Sequence, residues 1–311
     1  MSAAVDIPEI SDLITDYEVA TLARRAVSKA KVMAQFEALG DLPAMRVVES
    51  MPASSDGSLD PDAVDAALIR AHRELQRLHE EFYLGHRVLE VLVPMIRAFR
   101  MQSPGVGVRV IDVGSGLGYL VRWLAAKGDL GDEVELSGYD FNAALVAESQ
   151  RLSEQEALPC RFEVGNAFVG MDGGDSRPTV FLSTGVLHHF RGEGLVSFFR
   201  NQAHADAFFH FDIEPSWLAP MGAWFFHRAR MREPLARQDG VRSALRAHTG
   251  ATLLRAARAG APEHQVTLFR VGSKLFPLTR TIRPVVGVAP QHWDAWRDEL
   301  GSKSRLIREQ A

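Results

Sequence analysis

Only one cysteine, Cys160, occurs in the 311 residues, which excludes an internal disulfide framework and any cysteine-built zinc module. It lies in the apolar run Cys160-Arg-Phe-Glu-Val-Gly165, the place of a core residue and not of a nucleophile. No apolar stretch is long enough to span a bilayer, so no membrane partner is expected. The opening Met-Ser-Ala-Ala-Val-Asp lacks the basic residues and hydrophobic run of a secretion signal, and a cytoplasmic location is expected. Internal repeats and low-complexity tracts are absent as well. A large net charge is also missing, and the value of −4 argues against nucleic acid as a partner.

That average conceals an asymmetry. Residues 1–214 hold 19 Lys and Arg against 32 Asp and Glu, whereas residues 215–311 hold 16 against 7. The Arg-rich C-terminal part reads either as a site for an anionic substrate or RNA backbone, or as a helical face that docks on the acidic half. With 46% hydrophobic and 24% charged residues, the chain can bury one large core, or one core plus a helical appendage.

The most informative segment is Val108-Arg-Val-Ile-Asp-Val-Gly-Ser-Gly-Leu-Gly-Tyr-Leu120. An apolar run, the acid Asp112, and Gly114, Ser115, Gly116 and Gly118 lead into a helical pattern, which reads as strand, tight turn and helix. Such glycines allow positive φ and let a ligand lie against backbone N–H groups at the helix start. A dinucleotide fingerprint places its third glycine one residue later, and Tyr119 would keep a pyrophosphate away, so NAD is not expected. The alternating run Glu133-Val-Glu-Leu-Ser-Gly-Tyr-Asp140 ends in an acid suited to a ribose diol, with Phe141 beside it to pack on an adenine ring. The run from Cys160 ends in Asn166-Ala167, and a fourth, Thr179-Val-Phe-Leu-Ser183, enters Thr184-Gly-Val-Leu-His-His-Phe190.

These four segments, in this order, resemble the cofactor motifs of the class I S-adenosylmethionine-dependent methyltransferases of small-molecule type. The resemblance spans residues 76–290 and is strongest over 108–190. It implies an α/β fold: a Rossmann-like seven-stranded methyltransferase sheet with helices on both faces, plus an N-terminal helical region. S-adenosyl-L-methionine is the implied cofactor, held by Asp112, Gly114, Ser115, Gly116, Gly118, Asp140, Phe141, Asn166, Ala167 and Thr184. In the family an Asp usually stands where this chain has Asn166, whose amide oxygen can still accept from the adenine amino group. Thr184 and the residues after it would line the cofactor and form the floor of the reaction site.

The expected organisation is a helical region or lid over residues 1–101, a methyltransferase domain over 102–290 and a C-terminal helix over 291–311. Ser11 can cap a helix with Leu13, Ile14, Val19, Leu22, Ala26 and Val32 on its apolar face, ending near Gly40. Residues 50–60 read as a loop, and Pro61 suits the first turn of a further helical stretch to Met101, kinked or divided at Gly85 or Pro94. Glu81, Tyr83 and His86 there are candidates to touch the cofactor pocket, set against plain packing. The fifth strand is Ala207–Ile213. An excursion over residues 215–250 with Trp217, Trp224, Phe225, Phe226 and His227 reads as a substrate cap with an apolar lining, or equally as a helix buried on the sheet. Val266–Val271 and Ile282–Val288 read as an antiparallel pair, and residues 291–309 as a helix.

A sulfonium-borne methyl is already electrophilic, so catalysis chiefly requires a nucleophile held in line and water kept out. A hydroxyl acceptor benefits from a base, and His188 or His189 is the candidate; the opposing reading makes that pair only a pocket floor. His210, Asp212 and Glu214 form a second set, with Asp212 a catalytic candidate. His210 and Asp212 share a strand face and could orient one another, but two ligands do not make a metal site, and no metal is expected. No Asn-Pro-Pro-Tyr or Asp-Pro-Pro-Tyr string follows strand four, and no cysteine is placed for attack on a pyrimidine, which disfavours those two kinds of base methylation. The leading expectation is methyl transfer to a small molecule, through oxygen. The alternatives are RNA or protein methylation using the Arg-rich part, or a non-catalytic cofactor-binding protein on the same fold. The sequence leaves the acceptor and the oligomeric state open.

Overall fold

The computed structural model describes residues 7–168, 176–269 and 282–308. They form two compact units, one of Met1–Arg77 with Pro215–Arg246 and the other of Leu78–Glu214 with Ala247–Ala311.

The first unit is helical: α1 (Ile10–Ile14), α2 (Lys29–Ala38), α3 (Leu42–Glu49), most of α4 (Pro61–Glu81), α9 (Ala219–Arg230) and α10 (Pro234–Arg246). The single long helix expected from Ser11 to Gly40 is instead α1 and α2, separated by irregular chain. Between them Thr21 Oγ1 donates to Glu18 and accepts the Ala23 N–H, and Leu22 adopts φ 55°, local bonding that competes with a helix. Ser28, not Ser11, is the side-chain cap, accepting from the Lys31 N–H at the start of α2. Ser11 lies inside α1, whose end is capped from far along the chain: Asp239 of α10 accepts from the N–H of Ile10 at 2.7 Å and of Ser11 at 2.9 Å. Arg246 pairs with Asp12 and Arg242 with Asp41, so two arginines of the basic C-terminal part are spent inside this unit.

Burial, and after it the neighbouring Glu9 carboxyl, push Asp239 up to about 7, against the pull of its two N–H bonds. A carboxyl raised in the fold favours its protonated form. Its stabilisation is therefore fully present below the ordinary aspartate value of about 3.9 and is lost as pH rises through the raised one. Asp239→Asn keeps one acceptor and cannot titrate. Thermal unfolding of that variant should show a flatter decline from about pH 4 to 7 than the parent chain, and an unchanged slope would assign the dependence to other groups.

The second unit carries the sheet. Its strands are β1 (Val108–Val113), β2 (Val134–Asp140), β3 (Cys160–Val164), β4 (Thr179–Thr184), β5 (Ala207–Ile213), β6 (Gln265–Phe269), β7 (Ile282–Val288) and β8 (Ile307–Arg308), in the order β3-β2-β1-β4-β5-β7-β6-β8. The first five run parallel, while β7 is antiparallel to both β5 and β6. This is the expected methyltransferase sheet, with β8 added at its edge as an eighth strand of two residues. Every position of β1 is buried, as a strand covered on both faces requires. Adjacent residues of β5 divide between the two cores. Phe209 and Phe211 pack with Val88, Leu92 and Met95 of α5 (Leu84–Gln102) and Trp296 of α12 (Pro290–Leu300). Phe208 packs with Phe198 and Phe199 of α8 (Glu193–Arg200) and Leu254 of α11 (Gly250–Gly260). The remaining crossovers are α6 (Tyr119–Lys127) and α7 (Ala143–Gln155).

Three boundaries differ from expectation. The stretch to Met101 divides at Tyr83, which sits at φ 52° between α4 and α5, and α5 belongs to the sheet-bearing unit instead of the N-terminal helical region. Gly85 is not the break: it lies in the first turn of α5, where a Cβ would fall 2.3 Å from the Trp123 ring, and Pro94 is carried within the helix. The C-terminal helix stops at Leu300, because Gly301 turns the chain at φ 54° into a 3-10 turn (Gly301–Leu306) that leads to β8. Residues 270 and 271 of the predicted sixth strand, and residue 309 of the predicted helix, lie outside the described residues.

Candidate active site

The strand order reverses beside β1, where β2 lies on one side and β4 on the other. In open parallel sheets ligands gather at the carboxyl ends next to such a reversal. The Gly114–Gly118 turn occupies that place. Gly114, Gly116 and Gly118 have φ of 71°, 56° and 65°, the left-handed conformation that side chains resist. The N–H groups of Gly114 and Ser115 both donate to the penultimate carbonyl of the neighbouring strand, Tyr139 O, at 2.7 and 2.9 Å. A Cβ on Gly118 would lie 2.2 Å from the Phe162 ring, so this glycine is demanded by backbone and packing together. Gly118→Ala is expected to cost about 2–5 kcal/mol from strain plus overpacking, read as a fall in the denaturation midpoint. A neutral result would mean that Phe162 yields freely.

Asp140 is buried at the end of β2 and clasps this turn. Its Oδ2 accepts the Gly116 N–H at 2.9 Å and its Oδ1 accepts the Asn142 N–H at 2.9 Å. The acid expected to face a ribose therefore also fixes the loop, and each oxygen keeps further acceptor capacity. Phe141 beside it is 46% exposed, an aromatic surface at the sheet's edge. Asp112 is buried near the end of β1, and its Oδ1 has no hydrogen-bond partner among the described residues. Burial, then the nearby Asp140 carboxylate, raise it well above the usual aspartate range. An ammonium or sulfonium cation would relieve both effects. Asn166 departs from expectation in one respect: its amide oxygen already accepts the Phe168 N–H at 2.9 Å, so an adenine amino group would have to share that oxygen. Ala167 O accepts from Asn201. At Thr184 the end of β4 is held by its neighbour, since the Gly185 N–H donates to Phe211 O at 2.8 Å.

Past β4, a 3-10 turn (Leu187–His189) brings His188 onto Asp212 of β5. His188 Nδ1 lies 2.9 Å from Asp212 Oδ1, and its backbone N–H donates to Oδ2 at 2.8 Å. The Ile213 N–H adds a third bond to the same carboxylate at 2.6 Å. Burial would raise Asp212, but the His188 ring and these N–H groups outweigh it and hold the carboxyl below its usual value. Against an ionised carboxylate Nδ1 must carry the hydrogen, which places the basic lone pair on Nε2. His189 packs on His188 with ring centroids 4.4 Å apart.

The suggested pairing of His210 with Asp212 does not form. His210 Nδ1 lies 2.9 Å from Ser183 Oγ, its ring is surrounded by Phe198, Phe199 and Phe208, and burial lowers it to about 3, so it is a neutral core histidine. Asp212 faces His188 instead because the turn after β4 comes back over β5. Glu214 pairs with Arg283 of β7, which spends a further basic residue of the C-terminal part. Of the helix candidates, Tyr83 is exposed and His86 packs edge-on against Trp123, with ring centroids 5.0 Å apart. His79, which was not singled out, approaches Tyr119 at the end of the glycine turn.

Sequence reasoning missed three supports. Ser149 Oγ donates to Gly116 O at 2.8 Å, and its helical spacing from the Asn142 cap was a usable signal. Asn142 caps α7 by accepting from Ala144 and Leu145, an Asx pattern readable in the sequence. His248 Nε2 lies 3.1 Å from Leu187 O and 2.9 Å from Phe190 O, holding the dyad's turn from some 60 residues away, and nothing local announces it.

A positive-φ turn on a helix start, with two buried acids at adjoining strand ends, defines a nucleotide-cofactor site in a doubly wound sheet. Residues 110–205 match the family model described as a methyltransferase domain. That stretch is a methyltransferase domain of the S-adenosylmethionine-dependent kind, and S-adenosylmethionine is its cofactor. No curated protein sequence matches it. Among solved structures it is similar to the plantazolicin methyltransferase BpumL in complex with SAH, at 10% identity and TM-score 0.49, covering 84% of this chain and 99% of that one. The plantazolicin methyltransferase BamL, in complex with a triazolic desmethylPZN analog and SAH, is 15% identical with TM-score 0.45, covering 76% and 90%. Magnesium protoporphyrin IX methyltransferase (ChlM) from Synechocystis PCC 6803, with bound SAH, is 17% identical with TM-score 0.42, covering 84% and 99%. No helix among the described residues is long and apolar enough to cross a membrane.

Proposed function

We propose that the chain transfers a methyl group to an oxygen of a small-molecule acceptor, with His188 as the base and Asp212 as the residue that positions it. The observation that carries this reading is the buried His188–Asp212 pair, whose 2.9 Å contact engages Nδ1 and makes Nε2 the basic nitrogen of the neutral ring. S-adenosylmethionine supplies the electrophilic methyl when bound. The chain's own part is to hold the acceptor in line, take its proton at His188 Nε2 and exclude water. Asp212 stabilises the imidazolium that forms without itself taking the proton, in the manner of other buried Asp–His pairs.

The cofactor is assigned to Asp112 at its cationic end, to the Gly114–Gly118 turn with Ser115 along its length, and to Asp140 at the ribose. Phe141, Asn166 and Ala167 enclose the adenine, and Thr184 lines the cofactor beside the floor of the reaction site. The unpartnered oxygen of Asp112 supports the first of these assignments. Three arginines counted toward a basic RNA- or protein-binding surface, Arg242, Arg246 and Arg283, are engaged in ion pairs, which favours the small-molecule reading. A methyl-transfer screen of phenolic, carboxylic and amine acceptors, with product mass and site of methylation as readout, tests it. Methylation of a phenol or carboxylate supports the proposal. Transfer only to nitrogen, or only to RNA or protein, overturns it, and S-adenosylmethionine binding without turnover on any acceptor points to a non-catalytic binder.

A further inference from the structure

Helix α9 and the turn before it carry a large apolar surface that stays uncovered. Trp217 is 84% exposed, Phe225 62%, and Leu218, Met221 and Trp224 close to half. At 100° per residue, Leu218 at the start of α9 and Met221, Trp224 and Phe225 within it fall in a single arc, with the buried His227 outside that arc. The sequence alone left these aromatics either lining a substrate cap or packed on the sheet; within their own helical unit the arc stays exposed. Single exposed apolar residues are ordinary, but a contiguous set with two tryptophans marks an interaction surface.

The charge around the patch indicates its partner. Arg228 sits over the Trp224 ring at 5.5 Å, within the same arc, and Arg232 follows it, both exposed. Acidic groups nearby are already engaged: Glu233 pairs with Arg70 at 2.7 Å, and Glu74 accepts the backbone N–H groups of Arg232 and Glu233. Positive charge is thus left beside tryptophan, phenylalanine, leucine and methionine on one short helix. That is the composition of helices that lie in the plane of an anionic membrane surface, with aromatic rings at headgroup depth and arginines against phosphates.

We propose that α9 is a peripheral membrane-binding helix, which seats Trp217, Met221, Trp224 and Phe225 in the interface of an anionic lipid bilayer with Arg228 and Arg232 on the headgroups. This is surface association without a spanning segment, and it modifies the expectation that membranes play no part. It does not depend on which acceptor the active site takes.

The test uses the full chain with phosphatidylcholine vesicles, with and without phosphatidylglycerol, read by flotation and by tryptophan emission. Binding to the anionic vesicles with a blue-shifted emission, weakened by salt, is expected. Trp217→Ser with Phe225→Ser should weaken it at least about tenfold, while calorimetry shows unchanged affinity for S-adenosylmethionine. Arg228→Gln with Arg232→Gln should abolish the preference for phosphatidylglycerol. No binding to either vesicle overturns the proposal, as does full binding by the serine variant. Equal binding with and without phosphatidylglycerol overturns the anionic assignment. A dimer in solution that the serine variant converts to monomer would show that a second copy covers this face instead.

Discussion

His188→Ala is expected to lower turnover by about 10²–10⁴-fold, the span that a positioned general base contributes, while S-adenosylmethionine binds as before. The expectation rests on the geometry of the pair. Asp212 fixes Nδ1 at 2.9 Å and receives the backbone N–H groups of His188 and Ile213, so the ring has one orientation and one tautomer. Asp212→Asn should lose a comparable share of turnover for a different reason. An amide offers one acceptor oxygen where the carboxylate has two, so at least one of the three N–H groups faces an NH₂, at a further cost of about 1–3 kcal/mol in stability. Stability should also respond to acid in the parent chain. Asp212 is held below its usual value, so its contribution is complete above about pH 4 and is lost as pH falls through the depressed value. Steady-state turnover with an acceptor from the screen, beside calorimetric cofactor affinity, separates the roles. Full turnover in His188→Ala would make the histidine pair a pocket floor, whereas loss of cofactor affinity with turnover would make it part of the fold's support.

Asp140→Ala should weaken S-adenosylmethionine binding by about 100-fold or more and lower stability by about 2–4 kcal/mol. Both effects have one origin. Removal of the carboxylate strands the N–H groups of Gly116 and Asn142, which it now satisfies at 2.9 Å each, and also removes the acceptors meant for the ribose. The Gly116 bond is what ties β2 to the glycine turn, so the turn itself should loosen. Asp140→Asn keeps one acceptor and is expected to fall between the parent and the alanine variant. Calorimetric titration with S-adenosylmethionine, with NAD as control, reads the first effect and thermal unfolding the second. Unchanged affinity in Asp140→Ala would move the ribose elsewhere; unchanged stability would mean that water replaces the clasp.

Much of this site is legible in the chain because the motif residues act through their own backbone. Gly114, Gly116 and Gly118 declare a positive-φ turn wherever they occur after an apolar run, and an acid closing such a run is set at the sheet's carboxyl edge by strand direction alone. The doubled phenylalanines of β5, Phe208 and Phe209, likewise declare a strand buried on both faces. Segments with weak local preference were not legible. The chain from Thr15 to Ser28 has helical spacing, but Thr21 and Leu22 break it with bonds that spacing does not encode. The cap of α1 comes from Asp239, more than two hundred residues away.

The sequence by itself determined the class of fold, the cofactor turn, and the acids that flank it, since each of these follows from short-range rules of strand, turn and helix start. Tertiary structure decided which histidine meets Asp212. The chain offers His188 or His189 first and His210 in a second set; packing buries His210 among phenylalanines beside Ser183, while the turn after β4 carries His188 onto Asp212. It also decided that Trp217, Trp224 and Phe225 face outward beside Arg228 and Arg232, because which arc of a helix is covered depends on what the rest of the chain brings against it. Partner choice of this kind is set by distance in space, and periodicity and spacing along a chain contain no record of it.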